Sequence, residues 1–426
     1  MAKDKLTDYD ATASNNTDVG GISVAEGMLP SGVNNAIREQ MSHLKDFASG
    51  TTGIDVLSLV DDDASHAIKL QAPSALTANT TFTLPDGDGV SGQTMITDGA
   101  GALSWAAPYG NRNLIINGSM ICSQRGSVTG HTSGYGGPDR FLFDRSGAAA
   151  VTLSQDTDTP SNQGFSNSFK IDVTTEDSSL AAGDYALFQQ RVEAQNLQHL
   201  LYGTSEAKKV TLQFWVKSAK TGVHIVDLNA HDAGYFNPQS YTIASANTWQ
   251  KVTMTFDGYQ SGAINNDTGI GFAINWWLAA GSTYSGGTFS SNTWHNTQAN
   301  RAVGQVNVMD STSNNWYITG VQLEVGSTAT DFQHRSIGDE LFRCQRYYVQ
   351  QRVDIQTPAG GSMIVPIYFP TTMRATPTAS AVSAGSGNIA SAGVGVGGTQ
   401  SAYLQVASSA NSNYILGRID AYSAEL

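Results

Sequence analysis

A mainly β chain is what this 426-residue sequence predicts, and three observations point to it. Segments that alternate apolar and polar residues recur from the middle of the chain onward, the period of a half-buried strand. Glycine is abundant at 44 residues, and turn-forming Gly, Asn and Asp separate the alternating segments. Charged residues make up only 14% of the chain, so its surface must be built from Ser, Thr, Asn, Gln and Gly. The expected order is an N-terminal helix, a shaft of short strands, an antiparallel β-sandwich of jelly-roll type, and a small β tip.

Residues 1–50 form the first unit. Pro30-Ser31-Gly32 opens a helical pattern with Ser31 as a candidate N-cap. Val33, Ile37, Met41, Leu44 and Ala48 follow at spacings of three and four, and Gly50 is a natural stop. A helix this short with one apolar stripe is marginal alone and must pack on something. Little apolar material lies nearby, so bundling about a symmetry axis or docking into another protein stands beside packing on its own chain.

Residues 51–110 hold only short alternating pieces: Val56 to Val60, Ile68 to Leu70, and Thr81 to Leu84. Strands of this length cannot close a core within one chain. They call for neighbouring copies. Residues 111–336 carry longer strands, among them Val210 to Lys217, Trp249 to Phe256, Gly269 to Trp277 and Trp316 to Val325. Seven or more of these with Gly- and Asn-rich turns predict a two-layer sandwich. Residues 337–426 begin with a short helix over Gly338 to Cys344 and continue as strands at Met363 to Phe369, Ser401 to Val406 and Tyr414 to Ala421. Ala379 to Gly398, nearly all Ala, Gly, Ser and Val, reads equally as a thin strand or a loop.

The net charge of -13 and the lack of any basic run argue against nucleic acid as a partner. The first residues, Met1-Ala2-Lys3-Asp4, have no apolar core of a secretion signal, and no apolar run reaches the ~20 residues of a membrane span. Two cysteines, Cys122 and Cys344, are too few for a disulfide framework and read as small core residues. Synthesis in a reducing cytosol, with exposure later by another route, is the expectation.

Several motifs occur in a fixed order: Asn111-Arg112-Asn113-Leu114-Ile115-Ile116-Asn117-Gly118-Ser119, Gln124-Arg125-Gly126, and Pro138-Asp139-Arg140-Phe141. Phe214 to Ser218, Trp316 to Thr330, Phe332 to Arg335, and Cys344 to Tyr348 follow. Over about the middle half of the chain this set closely resembles podovirus-type bacteriophage tail fibre proteins whose heads are like carbohydrate-binding modules. Thr80 to Pro108 looks like the short β repeats before such heads, and Gly21 to Phe47 is similar to tail-attachment ends. The resemblance implies a homotrimer in the virion tail, synthesised in the host cytoplasm. Its N-terminus would be held by a tail adaptor or nozzle protein, and its C-terminal part would face a host surface glycan or lipopolysaccharide.

Candidate receptor contacts are Trp276, Trp277, Tyr284, Trp294 and His295, with Tyr235 as a further loop aromatic. Sugars stack C–H faces on aromatic rings and hydrogen-bond through hydroxyls, so this mixture suits a glycan. The competing reading is burial: Phe272, Ile274 and Trp276 share one strand face and Trp277 lies on the other. Tyr259 is a similar candidate, while Tyr347 and Tyr348 suit a domain junction. On the glycan reading, Trp294→Ala should weaken adsorption.

The alternative function is a spike enzyme depolymerising surface polysaccharide, which needs two carboxylates across a cleft. Asp172, Glu176, Asp227 and Asp232 are present, but no spacing marks a pair and no β-helix repeat occurs. An enzyme is therefore not expected. His224, His231 and Asp232 fit no zinc spacing. Asp61-Asp62-Asp63 and Asp86-Gly87-Asp88-Gly89 resemble parts of a calcium loop without its distal Glu, and turn chemistry accounts for them. No cofactor, no metal and no membrane insertion are expected.

Overall fold

The computed structural model describes residues 3–49, 56–60, 65–71, 75, 78–88, 94–97, 100–106, 112–351, 361–384, 389–408 and 417–426. The chain forms two compact units, Met1–Pro108 and Tyr109–Leu426.

In the first unit, β1 (Asp18–Val19) and β2 (Ile22–Ser23) form a hairpin whose turn, Gly20-Gly21, lies at positive φ. Glycine suits this turn because left-handed backbone is strained for residues with a Cβ. Helix α1 (Pro30–Ser49) follows. Pro30 occupies its first position, where the missing N–H costs nothing. Ser31 therefore lies inside the first turn and does not cap it, which corrects the sequence expectation. Ala36 and His43 are buried, and His43 Nδ1 meets the Tyr9 hydroxyl at 2.7 Å. Val33, Ile37, Met41 and Leu44 are instead between 43% and 64% exposed, so one chain leaves the stripe uncovered.

Two antiparallel pairs complete this unit: β3 (Val56–Val60) with β4 (Ala67–Gln71), and β5 (Thr94–Thr97) with β6 (Leu103–Ala106). The expected strand at Thr81 to Leu84 is a single bridge between Thr83 and Ala102, because the turn starting at Pro85 cuts it short. Leu59, Leu70, Phe82, Leu84 and Met95 are exposed, as expected of strands without cover. The Asp61-Asp62-Asp63 stretch lies outside the described residues.

The sandwich of the second unit has twelve strands. They are β7 (Val128–His131), β8 (Gly134–Tyr135), β9 (Phe141–Ser146), β10 (Ala150–Asp156), β11 (Ser168–Thr175), β12 (Tyr185–Glu193), then β13 (Val210–Ser218), β14 (Gly222–Ala230), β15 (Tyr235–Ile243), β16 (Gln250–Phe256), β17 (Ile270–Ala280) and β18 (Asn315–Val325). One sheet runs β16-β13-β18-β11-β10-β7 and the other β15-β14-β17-β12-β9-β8, with every pairing antiparallel. The hairpins β8–β9, β10–β11 and β14–β15 stay within a sheet, and the other consecutive strands change sheet. This is the expected jelly-roll sandwich. Its core interleaves Phe214, Leu212 and Trp316 of one sheet with Phe188, Ile274 and Trp276 of the other.

The ordered motifs turn out to be internal fasteners. Asn113 Oδ1 accepts from the backbone of Ile115 (3.0 Å) and Leu323 (3.1 Å), and its Nδ2 donates to Val321 O. Asn117, left-handed at φ 63°, closes the loop by bonding both backbone groups of Cys122. Gly118 lies so close to Val321 O that a Cβ would sit 2.0 Å from it. Such contacts satisfy buried polar groups that water cannot reach. Cys122 and Cys344 are both buried, and burial pushes the Cys344 thiol up, with Cys122 as its hydrogen-bond partner adding to the shift.

Helix α2 is the short turn Ser282–Ser285, and α3 (Ile337–Gln345) leads out of the sandwich, capped by Ser336 Oγ on the Asp339 N–H. The C-terminal part has two three-stranded sheets. Its strands are β19 (Tyr348–Gln350), β20 (Ser362–Tyr368), β21 (Thr378–Ala384), β22 (Ile389–Val396), β23 (Ser401–Ser408) and β24 (Gly417–Ser423). Ala379 to Gly398 thus contributes two strands. Gly395 is required there, since the Tyr403 ring occupies the space of a Cβ.

Residues 337–426 have their own small core around Ile367, Leu404 and Tyr422, yet belong to the same compact unit as the sandwich. The joint is polar. Glu193 accepts from Arg346 (2.7 and 2.8 Å) and from the Tyr347 hydroxyl (2.5 Å). Arg140, buried, lies 3.4 Å from the Tyr347 ring centroid and pairs with Glu425, as does Arg125. Tyr347 and Tyr348 are junction residues, as expected.

Candidate functional site

The outer face of the second sheet carries a pocket, and its floor follows from strand register. β12, β17 and β14 lie side by side, which places Gln189, Asn275 and Asp227 in one row and Arg191, Ala273 and Asn229 in the next. Leu187 and Trp277 pair in a row beyond. Alternation sends these side chains away from the core, and the row with Ala273 at its centre is hollow because alanine is small.

The middle row is a continuous polar chain. Gln189 donates to Asn275, whose Nδ2 donates to Asp227 Oδ1 at 2.5 Å. Arg301 Nε donates to Asp227 Oδ2 at 2.7 Å, and Arg191 Nε donates to Gln189 Oε1 at 2.5 Å. Asp227 and Asn275 are fully buried, so these bonds hold the carboxylate where water does not.

Residues 281–307 fold back over this face. The segment is pinned by a pair of backbone bonds between Phe236 and His295, 2.7 and 3.0 Å, and by Val306 N to Val223 O at 3.0 Å. It brings Tyr284 to within 5.3 Å of the Trp277 ring and 5.5 Å of Tyr185. The Arg301 guanidinium lies 5.0 Å from the Trp277 centroid and 3.9 Å from that of Phe236. Between segment and sheet remains a cavity of about 340 Å³ lined by Tyr185, Arg191, Asn229, Ala273, Trp277 and Tyr284, among others. In its wall, Trp277 Nε1 and Asn229 Oδ1 have no hydrogen-bond partner among the described residues. One is a donor, the other an acceptor. Burial, with the Asp144 carboxylate adding to it, pushes the Tyr185 phenol up to about 12, so it stays protonated at neutral pH.

Of the residues singled out from sequence, Trp277 and Tyr284 meet here. Trp276 does not: both indoles are buried, Trp277 at 1% and Trp276 at 0% exposure, but Trp276 lies on the core face against Phe188 and Phe214, because the strand turns successive side chains to opposite faces. Trp294 is also corrected. Its indole donates to Asp257 O at 2.7 Å and packs on Tyr259 and Tyr202 over the main core, with Tyr235 stacked on Tyr259 at 4.8 Å. That cluster fastens the edge of the sandwich, so Trp294→Ala is expected to loosen the loop and not to remove a contact. His295 sits against Phe236, and burial lowers its pKa.

The carboxylates do not converge on the pocket. Asp172 pairs with Lys170 on the other sheet, Asp232 binds Asn265, and Asp227 alone underlies the floor. Burial drives the His224 imidazole down to about 4, and it stacks on Tyr241. His231 lines the pocket. Among the described residues no three His, Cys, Asp or Glu side chains gather as a metal site, and no helix is long and apolar enough to cross a membrane.

Sequence reading missed Gln189, Arg191 and Arg301, gave Asn275 no role of its own, and weighed Asp227 only as a catalytic carboxylate. A signal existed for two of the strand residues, each a polar side chain within an apolar run: Val226-Asp227-Leu228 and Ile274-Asn275-Trp276.

No family model and no curated protein matches the sequence. Among solved structures, a putative sugar binding protein from Bacteroides thetaiotaomicron overlaps 50% of this chain and 100% of its own, at 14% identity and a TM-score of 0.29. A family 11 carbohydrate-binding module of a Clostridium thermocellum cellulase overlaps 48% of this chain and 97% of its own, at 12% identity and 0.25. The enzymatically active domain of a bacteriophage CBA120 tailspike overlaps 50% at 14% identity and 0.28, and this chain spans only 21% of it. The sandwich assignment rests on the strand order itself and not on these overlaps.

Proposed function

We propose that this chain is a carbohydrate-binding fibre subunit whose sandwich pocket receives a host surface glycan. The observation that carries the reading is the hollow over Ala273, walled by Trp277, Tyr284 and Tyr185 and edged by Arg191 and Asn229. Aromatic faces beside an unpartnered donor and acceptor suit a sugar, which offers C–H faces and hydroxyls together. The volume falls in the range of about 300–1,000 Å³ usual for ligand sites. The reading is one of binding: among the described residues the pocket lining brings together aromatic, amide and cationic side chains, a mixture that grips a sugar.

Titrating the full chain with oligosaccharides from host surface polysaccharide should show saturable binding. Ala273→Leu fills the floor and should abolish it while the protein stays folded, at a cost of roughly 1–3 kcal/mol for overpacking. Binding unchanged by Ala273→Leu would place the ligand elsewhere, and new reducing ends on incubation would make the protein an enzyme.

The fibre part of the reading rests on the ordered motifs and on the uncovered stripe of α1. Three copies of α1 would bury Val33, Ile37, Met41 and Leu44 against one another, and the exposed apolar residues of β3–β6 likewise call for partner strands. A tail adaptor or nozzle protein would then hold the N-terminal end in the virion. Native mass measurement should give three chains per particle. Met41→Glu with Leu44→Glu should reduce that number while leaving glycan binding by the separate sandwich unchanged. A wild-type monomer defeats this part of the proposal alone.

A further inference from the structure

The opposite sheet has a cleft of its own, unrelated to the pocket over Ala273. On β13, alternation turns Gln213 and Trp215 outward while Leu212, Phe214 and Val216 enter the core. The β13–β18 register slips between Gln213 and Trp215, and β18 bends there at Gly320, whose φ is +63°. A Cβ on Gly320 would lie 2.7 Å from the Phe165 ring and 3.1 Å from Trp215, so glycine admits a ring at this point. Phe165 reaches over from the stretch before β11, and Phe332 and His334 come from the segment after β18. The three rings pack with centroids 4.9–5.4 Å apart.

What remains between them is a cleft of about 210 Å³ lined by Phe165, Trp215, Phe332, His334 and Gln213. Gln213 is 2% exposed, and its Nε2 donates to Thr330 O at 2.6 Å. Its Oε1 has no partner among the described residues. Buried amide oxygens are normally satisfied, so an unpartnered one lining a cleft asks for a donor from outside. Lys251, paired across the strands with Trp215, and Asp331 stand at the rim with opposite charges. A rim balanced in this way selects no ion.

We propose that this cleft is a second carbohydrate subsite, taking one neutral hexopyranose. A ring face would lie on Trp215 and Phe165, and a hydroxyl would donate to Gln213 Oε1. The volume, below the roughly 300 Å³ where larger ligand sites begin, admits a single residue and not a chain. With sites on both faces of each sandwich, one subunit could hold two branches of a surface glycan, and binding to a dense surface would gain by effective concentration.

The test uses the full chain carrying Ala273→Leu, so that the first pocket is closed. Saturation-transfer NMR is run with the methyl pyranosides of glucose, galactose, mannose and N-acetylglucosamine. At least one should receive saturation. Gln213→Met, which keeps shape and removes the acceptor, should weaken it about tenfold, the worth of one good hydrogen bond. Trp215→Ala should remove the signal and Trp215→Phe should restore part of it, with melting curves showing that each variant is folded. No saturation of any of the four sugars in the Ala273→Leu chain overturns the proposal. So does a signal that survives Trp215→Ala and Gln213→Met unchanged. Neither result touches the first pocket, whose ligand is read separately on the chain with Ala273 intact.

Discussion

Glu193→Ala should destabilise the second unit by about 3–5 kcal/mol, the usual cost of stripping one partner from a buried charged network. The carboxylate is fully buried at the end of β12, where the sandwich meets residues 337–426. It accepts two bonds from Arg346, one from the Tyr347 hydroxyl and one from Gln195 Nε2 at 2.6 Å. Removing it leaves the buried Tyr347 hydroxyl and a half-buried guanidinium without their acceptor. Denaturant unfolding would measure the loss, and hydrogen exchange would locate it. Amides of β20 and β23 should exchange earlier than those of β13 and β18, because the C-terminal sheets lose their anchor while the sandwich core is untouched.

The same residue sets an acid limit. Burial alone would raise its pKa, but the hydrogen bonds from Arg346 and Tyr347 and the charge of Arg346 outweigh that and hold it below the usual carboxylate value. A group with a depressed native pKa adds stability that is complete above its unfolded pKa. That stability is lost as pH falls through the native value. Melting temperature in the wild type should therefore fall in acid more steeply than in Glu193→Ala, which has no such proton to bind. Equal acid slopes in the two proteins would mean that the carboxylate is not the group that gives way.

How much of this was legible depends on whether a feature is local. The alternation of Phe272, Ile274 and Trp276 against Trp277 assigned faces correctly, because strand geometry has a period of two whatever the context. The stripe on α1 was equally plain. What sequence could not decide was which of the packed aromatic residues border a cavity. Trp277 and Trp294 are the same side chain in neighbouring segments, yet one lines a pocket and the other fastens a loop. The difference lies in the hollow over Ala273, two rows along the sheet from the first, and in Tyr259 packed on the second. The Gly- and Ala-rich stretch Ala379 to Gly398 hid two strands, since side chains so small give alternation little contrast. Asn113 marked the family resemblance, but its buried bonds to Val321 and Leu323 join segments some two hundred positions apart.

Asp227 too is held by partners distant in sequence, 48 and 74 positions away, and its replacement should have the largest effect on the pocket. Asp227→Ala leaves Arg301 without its carboxylate and Asn275 Nδ2 without its acceptor, under a surface that water does not reach. The expected cost is again about 3–5 kcal/mol, and much of it comes from the stranded charge and not from the lost attraction. That distinction can be measured. Adding Arg301→Met to Asp227→Ala removes the stranded charge and fills space with an apolar chain, so the double variant should be more stable than Asp227→Ala alone. If the double variant is no more stable, the cost belongs to the polar row on the sheet and not to the ion pair. Glycan affinity should separate from stability in the same pair of proteins. Arg301 carries the segment that places Tyr284 over Trp277, so the double variant should recover stability without recovering binding. Recovery of both would show that the pocket needs the loop to be folded but does not need Arg301 to position it.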